Sequence, residues 1–299
     1  MSSSSVSSRS SSLSVSFDSK SYFDYVSADL IDEIVSTVST ISNISGNPED
    51  FISLYEDIDS FFQRMNLTDI IIFKKIGKSG SDSFSQFALN LFEKSKTDGN
   101  RIRYYKGIEI EAENENVLNS LIRKERANAD FLAVRSADEK VIRAAAESSD
   151  VDLIIPVTYS AGSAGRSGPN GSSGLYTAGG QINHIVAKIA RDKKTAFGFD
   201  MLPFLQTRGY RRSKIFADGM EMIPILRKYG VPVLLFSGAL SFYDSRGPYE
   251  LEAFGRMFGL TQEETMAAVS RIPSEIIKRR KMLKSGKLIA NGVEILSSD

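Results

Sequence analysis

The feature that most constrains the fold is a regular alternation of two sequence patterns along residues 101–239. Short apolar runs rich in β-branched residues, such as "DFLAVRS" (130–136) and "VPVLLFSGA" (231–239), alternate with segments whose apolar residues recur at helical spacing. Strands that are apolar almost throughout are typical of a parallel sheet covered on both faces. The strands are predicted at 21–28, 69–76, 101–112, 130–136, 151–157, 195–201 and 231–239.

Helices are predicted between these strands, and the resulting order indicates the architecture. Their ranges are 47–66, 83–96, 114–127, 138–148, 181–193 and 211–230, and two further helices start near Pro248 and Thr261. Seven strands with intervening helices predict an α/β fold of the TIM type, a (β/α) barrel, with an open doubly wound sheet as the competing topology. In either architecture the functional residues lie at the carboxyl ends of the strands.

Two segments stand apart from this alternation. Residues 1–19 are rich in serine and are expected to form a disordered tail, which leaves 20–299 as a single barrel domain. The segment 159–180 is a long Gly/Ser loop without a nucleotide-binding glycine motif, so we expect a mobile loop there.

The composition excludes several kinds of active site. The chain has no cysteine and one histidine, His184, which rules out disulfides, thiolate nucleophiles, cysteine-bound zinc and metal centres built from several histidines. No apolar run is long enough to cross a membrane, which takes about 18 residues. Absence of cysteine fits a reducing compartment, and we expect a cytoplasmic protein without a membrane partner.

Polar residues at the predicted barrel rim are the first candidates for a site: Asn183, His184, Asp200 and Ser237. A lone histidine is more often a packed or hydrogen-bonding residue, and general acid–base catalysis beside Asp200 is the alternative.

Four glutamates also alternate along "EIEAENENV" at positions 109, 111, 113 and 115. Such a run is usually a solvated strand end and helix start, although a carboxylate pair there could bind Mg²⁺ or share a proton.

Basic residues form the second set of candidates. The chain is neutral overall, with 37 basic and 37 acidic residues, but residues 201–299 carry a net charge of +5 and residues 1–100 a net charge of −6. A local basic field is sufficient to bind a polyanion. The candidates for phosphate contact are Arg208, Arg211, Arg212, Lys214, Arg246, Lys278, Arg279, Arg280 and Lys281. For Arg208, Arg211, Arg212 and Lys214, the alternative interpretation is an ordinary solvated turn. For the cluster at 278–281, the alternative is that basic residues compensate the helix dipole.

The most specific stretch is "VPVLLFSGALSFYDSRGPYELEAFGRMFGLTQEETMAAVSRIPSEIIKRR", residues 231–280. A strand ends in Ser-Gly, an Arg-Gly-Pro turn follows, and Thr261 with Glu264 forms a capping box at a second helix. This order, together with "INHIVAKIA" and "RRSKIF", resembles archaeal ribonuclease P protein component 3 and the related eukaryotic ribonuclease P subunit. The resemblance covers residues 101–285 and is weaker over 20–100.

The resemblance implies a barrel related to metal-dependent phosphoesterases of the polymerase-and-histidinol-phosphatase type, but without their metal site. It implies a non-catalytic subunit of ribonuclease P, acting in removal of the 5′ leader from precursor tRNA. The RNA component would cleave, with Mg²⁺ on the RNA and no cofactor on this chain. The implied partners are ribonuclease P RNA, precursor tRNA, a small ferredoxin-like protein subunit in a two-by-two assembly, and the other ribonuclease P proteins.

Two other hypotheses remain open at this point. One is a free-standing metal-dependent phosphoesterase with a reduced site of His184, Asp200 and Glu111. The other is a barrel that binds only protein partners. Cleavage of a phosphate ester by the chain without RNA would support the phosphoesterase. Absence of any contact with RNA would support the barrel that binds only protein.

Overall fold

The protein is a seven-stranded parallel barrel surrounded by helices. The computed structural model describes residues 21–42, 48–77, 84–95, 102–157, 182–286, 288–290 and 293–294. The predicted serine-rich tail and the 159–180 loop lie outside these residues. Within them, the barrel strands are β1 (Phe23–Ser27), β2 (Asp69–Gly77), β3 (Arg103–Glu111), β4 (Phe131–Ser136), β5 (Leu153–Pro156), β6 (Ala196–Asp200) and β7 (Val233–Phe236).

The strand order decides between the two predicted topologies. The strands are adjacent in chain order, from β1 to β7, and every neighbouring pair is parallel. An open doubly wound sheet needs a reversal of strand order, so that alternative is wrong. The sheet nearly closes, because the Gly238 amide donates to the Tyr25 carbonyl at 3.1 Å and the Ser27 amide donates to the Ala239 carbonyl at 2.9 Å.

Helices cover the outside of the barrel. They are α1 (Ala28–Ser42), α2 (Pro48–Arg64), α3 (Gln86–Lys94), α4 (Glu115–Glu125), α5 (Glu139–Glu147), α6 (His184–Lys193), α7 (Leu202–Gln206), α8 (Tyr210–Tyr229), α9 (Pro248–Met257), α10 (Gln262–Met266) and α11 (Ile272–Lys284). Short 3₁₀ turns lie at Arg126–Asn128 and Phe242–Asp244, a π-helical turn (Ala267–Arg271) joins α10 to α11, and a small antiparallel pair follows at β8 (Leu288–Ala290) and β9 (Val293–Glu294).

The predicted helices and strands are present with small shifts at their ends, but α1 and the short α7 were not predicted. Helix α1 has the sequence "ADLIDEIVSTVSTIS", in which serine, threonine and β-branched residues lower the helix propensity. It is stabilised by burial of Leu30, Ile31 and Ile34 against β1 and β2, so tertiary packing outweighs local preference. The capping box of Thr261 and Glu264 is confirmed.

The barrel interior is a packed core with both ends occupied by side chains. Alternate strand residues point inward, and they form one apolar cluster that includes Tyr25, Phe73, Phe131 and Phe236. Ile272, Ile276 and Ile277 of α11 join this cluster. Helix α11 therefore lies across the amino end of the barrel, while the carboxyl end is occupied by polar residues.

Candidate functional site

Four side chains fill the carboxyl end of the barrel, and we call Tyr25, Glu109, Arg135 and Asp200 the mouth cluster. Arg135 Nε donates to Glu109 Oε1 at 2.7 Å, and Arg135 Nη2 lies 3.1 Å from Glu109 Oε2 and 2.9 Å from Asp200 Oδ2. The Tyr25 hydroxyl donates to Glu109 Oε2 at 3.2 Å. A single guanidinium therefore bridges two buried carboxylates.

Strand geometry places these residues together. Glu109, Arg135 and Asp200 have the same inward direction as Tyr105, Ala133 and Ala196 of the inner core, because each lies an even number of residues further along its strand. Arg135 and Asp200 are the last inward residues of β4 and β6, and Glu109 is followed on β3 by Glu111 with the same parity. Three strands whose inner residues are mostly apolar thus each place one charged side chain inside the carboxyl end of the barrel.

Burial and charge set the protonation of the mouth cluster. Burial disfavours the charged guanidinium, but the carboxylates of Glu109 and Asp200 together raise the pKa of Arg135 above its ordinary value. Burial also raises the pKa of Asp200, in spite of the opposing effect of Arg135. Burial beside Glu109 raises the pKa of Tyr25 well above its ordinary value. Arg135 is a permanent cation and Tyr25 a neutral donor, so neither is able to act as a base.

The seam between β1 and β7 lies next to this cluster. Asp24 is buried and accepts hydrogen bonds from the Ser237 amide at 2.7 Å, the Ser237 hydroxyl at 2.5 Å and the Tyr25 amide at 2.8 Å. Gly238 has φ +63°, and a Cβ there would lie 2.2 Å from Asp200 Oδ1, so only glycine fits. Ser237 was predicted as a rim residue, and its role here is to hold Asp24.

Asp24→Asn is expected to remove part of the pH dependence of stability. Burial raises the pKa of Asp24 from its ordinary 3.8 to about 7, so the folded chain binds this proton more tightly than the unfolded chain does. The free energy of unfolding of the wild type therefore falls as the pH rises through that range. Asparagine keeps the acceptor for the two amides and carries no charge to desolvate.

Urea denaturation of both proteins at about pH 5 and about pH 8 measures this effect. The free energy of unfolding of the variant minus that of the wild type should be larger at about pH 8 than at about pH 5. The increase should exceed about 1.4 kcal/mol, the equivalent of one pKa unit. A difference that stays constant or decreases would contradict burial as the cause of the raised pKa.

The glutamate run is only partly the solvated strand end that the sequence indicated. Glu113 and Glu115 are exposed, and Glu111 is half-buried. That interpretation is wrong for Glu109, which is fully buried and bound by Arg135 and Tyr25. Lys75 Nζ lies 3.9 Å from Glu109 Oε1 and 3.8 Å from Glu111 Oε1. Lys75 of β2 is thus a second cation close to Glu109 and Glu111.

The rim residues Asn183 and His184 begin helix α6. Asn183 is the N-cap, and its side-chain oxygen accepts from the Ile185 and Val186 amides at 3.0 Å each. His184 is exposed at the first position of the helix.

The structure gives no support to the reduced phosphoesterase site of His184, Asp200 and Glu111. Among the described residues, no group of three His, Asp or Glu side chains is arranged to hold a metal ion. Asp200 is already bound by Arg135. The residues present therefore do not fit the metal centre of a polymerase-and-histidinol-phosphatase enzyme.

A small cavity lies beside the mouth cluster. It has a volume of about 50 Å³ and is bordered by Arg135, Asp200, Phe199, Phe254 and Phe258. Pockets that bind small molecules are usually about 300–1,000 Å³. This cavity is large enough for water and too small for a nucleotide.

The first group of basic candidates follows β6. Arg208 and Arg211 are exposed. Arg212 donates to the Thr207 carbonyl at 2.8 Å, and Lys214 Nζ lies 2.7 Å from Asp218 Oδ1. These latter two side chains are engaged within the chain.

Arg246, the candidate after β7, is also engaged internally. Its Nη1 donates to the carbonyls of Tyr243 and Ser245 at 2.7 Å each. The guanidinium thus stabilises the turn that precedes α9.

The second group lies on α11, at the other end of the barrel. Lys278 and Lys281 are exposed, whereas Arg280 is 5% exposed and its Nε donates to Asp152 Oδ1. Arg279 donates to the Lys193 and Lys194 carbonyls at 3.4 and 3.2 Å. Arg280 is therefore placed as an internal ion-pair partner and is not presented to a binding partner.

Comparison with known proteins places this barrel in a family. The family model described as "RNase P subunit p30" matches residues 43–285. The chain belongs to the RNase P subunit p30 family. Ribonuclease P protein component 3 of Methanococcoides burtonii is 34% identical over 202 residues, which span 67% of this chain and 76% of that protein. Its counterpart from Methanococcus maripaludis is 24% identical over 242 residues, or 80% of this chain and 97% of that protein.

The barrel also matches the fold of a chain in a solved structure. A chain in the cryo-EM structure of archaeal ribonuclease P with mature tRNA aligns with a TM-score of 0.62 at 21% identity, covering 82% of this chain and 95% of that one. The TIM-type fold predicted from the sequence is confirmed. Among the described helices of this p30 family member, none has the length and apolar character needed to span a bilayer.

Proposed function

We propose that this chain is a non-catalytic protein subunit of ribonuclease P, which supports RNA-catalysed removal of the 5′ leader from precursor tRNA. Membership of the p30 family and the names of its relatives support the assignment to ribonuclease P. In this proposal the RNA component performs the cleavage and binds the Mg²⁺ that the reaction needs. The protein acts by stabilising the folded RNA.

The observation that carries the non-catalytic role is the position of Arg135. A barrel enzyme gathers its reactive groups at the carboxyl ends of the strands. Here that position holds a guanidinium bound to both Glu109 and Asp200. Guanidinium groups donate hydrogen bonds and do not accept protons. Glu109 and Asp200 are both held in an ion bridge by Arg135, so neither carboxylate is free to act as a general acid or base.

The proposed partners follow from the family resemblance. They are ribonuclease P RNA, precursor tRNA, a small ferredoxin-like protein subunit in a two-by-two assembly, and the other ribonuclease P proteins. The proposed location is the cytoplasm. Among the basic candidates for RNA contact, Arg208, Arg211, Lys278 and Lys281 have exposed side chains. Exposed cations are suited to phosphate contacts, which dominate affinity for nucleic acids and make it depend on salt.

Reconstitution tests this function. Ribonuclease P RNA and the remaining protein subunits are assembled with and without this chain, and precursor tRNA cleavage is measured over a range of Mg²⁺ concentrations. We expect the chain to lower the Mg²⁺ concentration required, and we expect no cleavage by the chain alone with Mg²⁺, Mn²⁺ or Zn²⁺. Cleavage of a phosphate ester by the isolated chain would refute the non-catalytic role. An assembly whose activity is unchanged by the chain would refute the role in ribonuclease P.

A further inference from the structure

The amino end of the barrel carries a basic surface built from two helices that are distant in the sequence. Helix α11 crosses this end, with Ile272, Ile276 and Ile277 in the inner core. The carboxyl end of α6 lies beside it, because Arg279 donates to the carbonyls of Lys193 and Lys194. We call the surface formed by Lys194, Lys278 and Lys281 the amino-end face.

The arginines of this region point inward and fix the helix. Asp152 is fully buried just before β5, and it is contacted by Arg126 Nη1 at 2.8 Å, Arg280 Nε at 2.5 Å and Arg279 Nη2 at 3.5 Å. Arg280 also donates to the Ser149 carbonyl at 2.8 Å. Three guanidiniums and one carboxylate hold α11 against the barrel, so its outer face has a defined position.

The lysines of this region lie on the surface. Lys194, Lys278 and Lys281 are exposed. Within the described part of the chain, none of the three has a carboxylate within ion-pair distance; Lys281 Nζ instead lies 5.0 Å from the centre of the Tyr105 ring. Lys278 and Lys281 are three residues apart and therefore share one side of α11.

The acidic groups nearby leave this positive charge uncompensated. Asp130 is paired with Lys284 at 2.8 Å, and Asp152 with the three arginines. Three exposed acids are also engaged with arginines: the Asp150 carboxylate lies 3.9 Å from Arg280, Asp192 pairs with Arg191 at 2.7 Å and Glu275 pairs with Arg271 at 2.9 Å. A rigid surface of unpaired lysines complements a polyanion, and lysine binds phosphate as a point charge without reading bases.

We propose that the amino-end face binds the sugar-phosphate backbone of the RNA component, independently of base sequence. This inference rests on the function proposed above and names the surface that performs it. It adds Lys194, which sequence reasoning missed, and it removes Arg279 and Arg280 from the contact, because they hold the helix. Lys194 follows α6 and lies 84 positions before Lys278, so no pattern along the chain connects them.

The test uses the assembled complex of ribonuclease P RNA and the other protein subunits. Binding of this chain to the complex is titrated at several salt concentrations for the wild type and for Lys278→Gln/Lys281→Gln. Because Lys278 and Lys281 are exposed and pair with no carboxylate among the described residues, the variant should fold normally, which circular dichroism checks. The slope of log affinity against log salt should become less steep by about 0.7–0.9 for each phosphate that the variant no longer neutralises.

The matched control is Lys140→Gln/Lys188→Gln, which removes two exposed lysines from the sides of α5 and α6. It should retain the wild-type slope. A second comparison, Arg208→Gln/Arg211→Gln, alters the other end of the barrel. If the slope flattens in that variant and not in the α11 variant, the amino-end face is not the RNA contact.

Three further outcomes decide the inference. If the α11 variant also loses affinity for the protein subunits in the absence of RNA, the face binds protein and the proposal is overturned. If the wild-type chain activates the complex while the α11 variant retains the full salt slope, the assignment of the face is wrong and the proposed function stands. Failure of the wild type itself to join the complex would refute both.

Discussion

Replacing Arg135 by methionine is expected to lower the free energy of unfolding by about 3–5 kcal/mol, the usual cost of removing one partner from a buried ion pair. Arg135 compensates Glu109 and Asp200, and the side chain of Glu109 is 0% exposed. Methionine fills a similar volume but leaves Asp200 without its guanidinium partner, and it leaves Glu109 with only Lys75, 3.9 Å away, as a counter-charge. The loss should be smaller at low pH, because protonation removes the buried charge.

Urea denaturation followed by circular dichroism measures this change. The control is Arg143→Met, which breaks an exposed ion pair with Glu147 on the outside of α5. Such a pair contributes about 0–1 kcal/mol. Equal stability losses in the two variants would show that the mouth cluster is not a buried electrostatic unit. Such a result would also count against a non-catalytic role for the barrel mouth.

Asp152→Ala is expected to produce a loss of similar size, about 3–5 kcal/mol, at the opposite end of the barrel. The carboxylate compensates Arg126, Arg279 and Arg280 together, and it also accepts from the Leu132 amide at 2.9 Å. Burial lowers the pKa of Arg279 even with Asp152 present. Without Asp152 the guanidiniums repel one another, and α11 loses its attachment to the barrel.

Chemical denaturation and amide hydrogen exchange together test this. Asp150→Ala is the matched control, because Asp150 lies two residues away with its side chain 56% exposed. Its effect should stay within about 0.5 kcal/mol. Exchange in α11 should accelerate in Asp152→Ala and remain unchanged in Asp150→Ala. Unaltered exchange in α11 after loss of Asp152 would show that apolar packing alone holds this helix.

The strands were predictable because their apolar runs are short, β-branched and evenly spaced. Strand β2 was predicted at 69–76 and spans Asp69–Gly77, and β4 was predicted at 130–136 and spans Phe131–Ser136. Helix α1 was missed because its serines and threonines lower local propensity, while its stability derives from contacts with β1 and β2.

The mouth cluster was predicted only in part: Asp200 was a rim candidate and Glu109 belonged to the glutamate run, but Arg135 and Tyr25 were missed. Arg135 is the last inward residue of β4 and Asp200 the last residue of β6, and the other inward residues of both strands are apolar or small. Glu109 continues the inward positions Tyr105 and Gly107 of β3. A charged residue on the inward parity of a buried strand needs a partner. Marking the inward positions of each strand would have identified Glu109, Arg135 and Asp200 as charged inward residues. That they contact one another is known only from the closed barrel.

The sequence by itself determined the strand and helix order, the absence of cysteine and multi-histidine chemistry, and the p30 resemblance, because these depend on local periodicity and on residue identity. Tertiary structure alone decided which charges are free. Arg279, Arg280 and Lys281 are neighbours in the chain, yet two point inward to the Asp152 region and the third faces solvent. The physical reason is that burial and counter-charge arise from residues far apart in the chain, which only folding brings together.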